Sequence, residues 1–240
     1  ACGGRLLYRG FGTQKAEEEL AQLFPEARVL RMDMDTTRQK DSHEKILSAF
    51  ANEEADVLVG TQMIVKGHDF PNVTLVGILA ADMSLYTDDY RSGERTFQLL
   101  TQAVGRAGRG DKKGEAVIQT YSPDHYAIAT SAAQDYEAFY EEEIRYRTMM
   151  GYPPAENLLA VFISSADEAL LETGCRYLKE YMIKAKKDIE ASVIGPASPG
   201  IEKINDVYRK VIYVKTADYH DLVVLKDRTE KYLSLIHISE

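Results

Sequence analysis

The feature that most constrains this 240-residue chain is an alternation in its first half, where short aliphatic runs are separated by helical stretches. "ARVLRMD" (27–33), "ADVLVG" (55–60), "VTLVGILAAD" (73–82) and "GEAVIQTY" (114–121) read as strands. "QKAEEELAQLF", "TTRQKDSHEKILSAF" and "ERTFQLLTQAVGRAG" read as helices. Thr13 is placed to cap the first, and Ile46, Leu47 and Phe50 share one side of the second. Strands of nearly continuous Val, Ile and Leu joined by helical crossovers predict an α/β fold, a parallel sheet with helices on both faces. In such sheets ligand loops lie beyond the carboxyl ends of strands, and "GTQMIVKGHDF" (60–70) follows a strand directly.

The second half follows a different plan. Residues 124–150 read as helical and rich in Tyr, Phe and Glu, until "GYPP" (151–154) stops the helix. "NLLAVFISS", "ASVIGPASPG" and "YRKVIYVKT" then read as strands, with helices over "ADEALLETGCRYLKEYMIKAKK" and "ADYHDLVVLKDRTEKYL". This predicts a separate small α+β domain of the split β-α-β kind.

Composition excludes several classes. No apolar run is long enough to span a bilayer, and the start lacks a signal-peptide plan, so a cytoplasmic protein with no membrane partner is expected. The formal charge of -9 argues against a general nucleic-acid coat and confines any such binding to a local site. Acidic runs such as "KAEEEL" and "YEEEIRY" read as solvated helix faces. Cys2 and Cys175 form no disulfide framework.

Two stretches can carry chemistry. In "GRAGR" (105–109) Arg106 and Arg109 lie three apart, with Gln102 four before Arg106, so on a helix all three share a face. Two guanidiniums can stabilise the charge on a transferring phosphoryl group, and the small residues between them let the backbone approach closely. A solvated basic helix end explains the same spacing. In "GTQMIVKGHDF" Gly60 and Gly67 permit close backbone approach, Thr61 offers a hydroxyl, Lys66 a cation and Asp69 a carboxylate. The loop suits a nucleic-acid backbone or a nucleotide, and a plain polar connection remains open. His68–Asp69 is not a hydrolase pair, since no activated Ser or Cys accompanies it. His43, His125, His220 and His237 lack metal-ligand spacing, and Asp33/Asp35 and Asp88–Asp89 need no explanation beyond loops. No GxxxxGK[ST] phosphate loop occurs, so a self-contained ATPase is not expected.

Taken in order, "GTQMIVKGHDFPNVTLVGILAAD" and "ERTFQLLTQAVGRAGR" resemble the fifth and sixth motifs of superfamily-2 helicases. With "YRGFGTQKAEEEL", "YRTMMGYPP" and "VIGPASPGIEKINDVYRKVIYVK", the resemblance narrows to the primosomal replication-restart DNA helicases and covers roughly residues 1–233. It implies a 3′-to-5′ motor of two RecA-like lobes closing on ATP and Mg²⁺, acting on stalled or abandoned forks and promoting primosome assembly. This chain would be the second lobe (6–123), a helical connection (124–154) and a C-terminal α+β domain (155–233).

By the same resemblance Arg106 and Arg109 reach the ATP phosphates and Gln102 couples the lobes. Gly67, Asp69 and Gly105 face the nucleotide, while Thr61 and Lys66 touch the DNA backbone. The implied partners are fork or single-stranded DNA, the first lobe in cis, single-stranded-DNA-binding protein and helicase-loading proteins, all at the bacterial nucleoid. Residues 1–5 look like the remnant of a zinc-binding insertion in which Cys2 is the last ligand, so Zn²⁺ is expected in the intact protein only. Cys175 reads as a buried small hydrophobe. Residues 234–240, within "LSLIHISE", resemble translated sequencing adapter and are set aside, which together suggests a fragment truncated at both ends. The fragment alone is expected to be inactive. The alternatives are the second lobe of another superfamily-2 helicase, such as a RecG-like enzyme, or a non-catalytic DNA or protein docking module.

Overall fold

The computed structural model describes residues 12–37, 41–65, 70–108 and 113–237. The chain falls into two compact units. The first holds residues up to Tyr86 with Gly93–Phe139, and the second holds Thr87–Ser92 with residues from Tyr140 onward.

In the first unit α1 (Thr13–Leu23) leads into β1 (Val29–Met32), and α2 (Ser42–Ala51) into β2 (Val57–Gly60). These strands pair in parallel, from Val29 opposite Val57 to Met32 opposite Gly60. After a 3-10 turn at Gln62–Val65 come β3 (Leu75–Ile78), α3 (Ser92–Val104) and β4 (Glu115–Ile118). β3 and β4 also pair in parallel, from Leu75 opposite Glu115 to Ile78 opposite Ile118. All four strands fall where the aliphatic runs predicted them.

The single parallel sheet expected from the sequence is not what the described residues form. They make two separate two-stranded ladders. Nor is the second ladder covered on both faces, because its residues alternate in burial and Leu75 and Val117 are 62% and 51% exposed. Its inner face supplies Ile78 and Ile118 to a cluster around Ala81, Leu100 and Ile128. The first ladder is better covered, with Met32, Leu47 and Phe70 buried among Ile46, Phe50, Leu58, Ile64 and Val73.

Two local expectations change. Thr13 does not cap α1, because the cap position is Gly12, whose carbonyl accepts from Ala16 N–H at 3.0 Å. The Thr13 hydroxyl instead donates to Asp33 across 2.6 Å, the stronger charge-assisted partner. The helical stretch after β4 is also broken. α4 (Tyr126–Ala133) and α5 (Tyr136–Met150) are separated where Gln134 adopts a left-handed conformation, φ 55°. His125 caps α4, its Nδ1 accepting from Ala127 N–H at 3.2 Å, which is a local structural role.

The second unit contains β5 (Asn157–Ser165), α6 (Glu168–Ala185), β6 (Ser192–Ala197), β7 (Lys203–Ile204), β8 (Val207–Thr216) and α7 (Tyr219–His237). β8 lies between β5 and β6 and is antiparallel to both, so β5-α6-β6 is the split β-α-β unit predicted. α6 starts cleanly because Asp167 caps it, accepting from Leu170 N–H at 3.0 Å. Its buried stripe of Leu171, Cys175, Leu178 and Met182 has helical period. The last two pack with Ile212, Val214, Leu222 and Leu225 into the core. α7 has no Gly or Pro to stop it, and it runs past residue 233 to His237, across the boundary where the sequence reading set the tail aside.

Candidate functional site

α3 presents Gly93, Thr96, Phe97, Leu100 and Ala103 inward, spacing that buries one stripe and leaves Gln102 on the exposed side. The helix ends at Val104, so Arg106 is not on it. This corrects the premise that Arg106 and Arg109 share a helix face. Glycine is a poor helix former, and Gly105, Gly108 and Gly110 arrive together. Arg106 N–H bonds Ala103 O at 3.0 Å and Ala107 N–H bonds Val104 O at 3.2 Å, a tightening typical of a last turn.

Gly108 then takes φ 73° and donates to Val73 O at 2.9 Å, which fastens the turn to the residues leading into β3. Gly105 has little spare room, since a Cβ would lie 3.2 Å from Thr101 O. Arg106 is half-buried and its Nε is shielded from solvent, unlike a freely solvated basic helix end. A guanidinium held on a glycine turn tied to a strand can present donors in a fixed direction. Arg109 lies outside the described residues.

Thr61 follows β2 immediately and is exposed at the carboxyl edge of the β1–β2 ladder, where a parallel sheet offers ligand loops. Its carbonyl accepts from Ile64 N–H at 3.1 Å and opens the 3-10 turn. Gly60 is required beside it, because a Cβ there would overlap Met32 O and the Ile64 side chain. Lys66, Gly67 and Asp69 lie outside the described residues, as does Cys2. The structure therefore describes four of the sequence candidates, Thr61, Gln102, Gly105 and Arg106, with the last three on consecutive turns at one helix end.

Asp33 sits at the same carboxyl edge as Thr61, but its oxygens are already committed. They accept from the Thr13 hydroxyl at 2.6 Å and from the backbone N–H groups of Asp35 and Thr36 at 2.9 Å, with Arg31 Nε at 3.2 Å. These hydrogen bonds, the Thr13 one foremost, hold its carboxyl down at about 2. Asp82 likewise accepts from Thr120 Oγ1 at 2.7 Å and Tyr121 N–H at 2.9 Å, which lowers its pKa and latches the loop after β3 to the exit of β4. Cys175 is fully buried in α6, and burial pushes its thiol up, away from the reactive thiolate. Among the described residues no group of three or more His, Cys, Asp or Glu side chains is arranged to hold a metal ion. The zinc expectation therefore gains no ligand set from this part of the chain.

Sequence reasoning missed a cluster in the second unit. Glu143, read as part of a solvated acidic face, is buried and bonds Arg147 Nε at 2.7 Å. Arg147 also donates to Pro153 O at 3.0 Å, and its guanidinium lies 5.3 Å from the Tyr90 ring centroid. The Glu143–Arg147 spacing of four residues was a visible signal; the partners far along the chain were not.

Two comparisons with known proteins bear on this geometry. Residues 4–111 match the helicase conserved C-terminal domain, a span that includes β1 to β3, α3 and the Arg106 turn. Among the described residues no helix is long and apolar enough to cross a membrane. The chain is also similar to proteins named replication restart protein PriA. It is 46% identical to the Bacillus subtilis protein over 93% of this chain, and 39% identical to that of Chlamydia trachomatis over 98%. It is 36% identical to the Thermotoga maritima protein over 99%. The chain spans 28%, 30% and 31% of the length of these three relatives.

Proposed function

We propose that this chain works as the second RecA-like motor lobe and the C-terminal domain of an ATP-dependent 3′-to-5′ DNA helicase of replication restart. The observation that carries the reading is the Arg106 turn, a half-buried arginine on a glycine-rich helix end fastened to Val73 by Gly108. In this reading Arg106 and Arg109 face ATP bound by a partner lobe that owns the phosphate loop and most of the Mg²⁺ coordination. Their guanidiniums stabilise charge on the transferring phosphoryl group. Gln102, on the exposed side of α3, couples the lobes, and Gly105, Gly67 and Asp69 border the nucleotide. Thr61, at the carboxyl edge of β2, and Lys66 grip the DNA backbone. Backbone grips carry position and not base identity, so binding follows fork structure and not sequence. Homology to a replication restart protein supports stalled forks as the place of action. Single-stranded-DNA-binding protein and helicase loaders are the partners in this reading.

The test is Arg109→Ala in the two-lobed enzyme. DNA-stimulated ATP hydrolysis falls by about 10³-fold while most DNA binding is kept, the signature of a group acting on the transition state. Equal loss of hydrolysis and DNA binding would sink the assignment and favour a docking module.

A further inference from the structure

α3 carries a hydroxyl in its buried stripe. Thr96 is 0% exposed and lies beside Phe97, Leu100 and Ala103 on the inward side of the helix. We propose that Thr96 is a positioning residue for the candidate site: through Ser84 its hydroxyl fixes the rotation and axial setting of α3, and with them Gln102 and the Arg106 turn. This rests on the nucleotide-site reading above for what the end of α3 does, but the fixing of the helix is argued from its own contacts.

Threonine is a poor local choice at such a position. Its β-branched side chain is a weaker helix former than Ala or Leu, and a hydroxyl is costly to bury without a partner. Here the partner is supplied. Thr96 Oγ1 donates to Ser84 Oγ at 2.8 Å, and Ser84 Oγ donates to Ala81 O at 3.0 Å. Both acceptors belong to the 3-10 turn Ala81–Ser84, which is itself held to the second ladder. Ala81 N–H donates to Gln119 O at 3.0 Å, and Asp82, 6% exposed, accepts from Thr120 Oγ1 and Tyr121 N–H. The chain of bonds therefore runs from the buried face of α3 to the exit of β4, inside the first unit.

Other inward contacts of α3 are apolar. Leu100 packs in the cluster of Ala81, Ile128, Ile78, Leu85 and Ile118, and Phe97 stacks on Phe139 with ring centroids 4.2 Å apart. Such contacts hold the helix in place but are non-directional, so they tolerate a small slide or roll. A hydrogen bond does not, because it weakens steeply as distance and angle depart from the optimum. A polar contact inside an apolar interface thus selects one setting among several of similar packing energy, as a buried Asn does for the register of a coiled coil. Val104 lies eight residues beyond Thr96, about 12 Å along the axis, and the Arg106 turn continues from it. A shift of about 1 Å in a group that must meet a transferring phosphoryl can lower turnover by about 100-fold. Thr96 touches neither substrate nor nucleotide in this scheme; it acts through α3.

Kinetics and amide exchange together test the setting. In the two-lobed enzyme, Thr96→Val replaces the hydroxyl with a methyl of similar size. It is expected to lower kcat for DNA-stimulated ATP hydrolysis about tenfold with KM for ATP unchanged, and Thr96→Ser is expected to restore most of kcat. Ser84→Ala is expected to reproduce the loss, and the double variant to be no worse than either single one, because both remove the same link. Unchanged kcat in Thr96→Val overturns the proposal. So does an equal loss in Thr96→Ser, which marks packing of the methyl alone, and so do additive losses in the double variant. Amide hydrogen exchange on the full chain separates a loosened helix from a destabilised fold. In Thr96→Val the last turns of α3 are expected to exchange about tenfold faster, while β1 and β2 keep wild-type protection. A uniform increase that includes β1 overturns the proposal. If Arg109→Ala leaves hydrolysis intact, the nucleotide reading fails. Faster exchange confined to α3 then upholds the Thr96 setting, and unchanged exchange there overturns it.

Discussion

Asp33 shows how much one carboxylate can organise. It gathers the start of α1, the exit of β1 and the following turn through Thr13, Arg31 and two backbone N–H groups. Its pKa is lowered from an ordinary 3.8 to about 2, so its contribution to stability is present above the unfolded value and is lost as pH falls from about 4 towards 2. Thr13→Val removes the leading hydrogen bond. It is expected to destabilise the fold by about 1 kcal/mol and to move the Asp33 titration upward, readable by carboxyl NMR. The buried Arg147–Glu143 pair is more sensitive, because Arg147→Met removes the 2.7 Å ion pair of a carboxylate that is only 6% exposed. A loss of roughly 3 kcal/mol in a urea titration is expected. Residue-level legibility was uneven. Cys175, which the sequence offered as a small hydrophobe in a helix, is fully buried, whereas Glu143 looked like one of three equivalent surface glutamates until its partners folded around it.

At the scale of elements, the aliphatic runs located every strand among the described residues of the first unit, because continuous Val, Leu and Ile leave few alternatives. Boundaries set by glycine were harder. The periodicity of "ERTFQLLTQAVGRAG" continues past Val104, but the Gly105–Gly108 turn ends the helix and takes Arg106 off its face. β7 was not foreseen, although "IND" carried a signal. Asn205 and Asp206 take φ 50° and 63°, the left-handed pair that closes a two-residue hairpin between Ile204 and Val207. Backbone demands of this kind give direct tests. Gly108→Ala places a Cβ at φ 73° and is expected to cost about 1 kcal/mol while loosening the Arg106 turn. Gly60→Ala meets the Met32 carbonyl, which cannot step aside without moving β1. It is expected to cost roughly 2 kcal/mol, measured by the urea midpoint.

For the whole molecule, the sequence carried the change of plan from parallel ladders to an antiparallel split β-α-β sheet, because strand patterning and the proline-punctuated "GYPP" both report locally. It did not carry long-range anchoring. Nothing in the spacing of Tyr90, Tyr152 and Lys215 announces that they stack, since such contacts depend on the completed fold. The candidate site was read as residue types; of these, Arg106 is half-buried in a glycine-rich turn and Thr61 is exposed directly after β2. The central claim is that this chain supplies the arginine side of an ATP site whose phosphate loop lies on another lobe. ATP turnover in the presence of forked DNA, measured for the pure chain and for the chain mixed with a lobe carrying GxxxxGK[ST], tests it most directly. The expected result is no turnover by the chain alone and DNA-stimulated hydrolysis in the mixture that disappears with Arg109→Ala. Robust hydrolysis by the pure chain would contradict it.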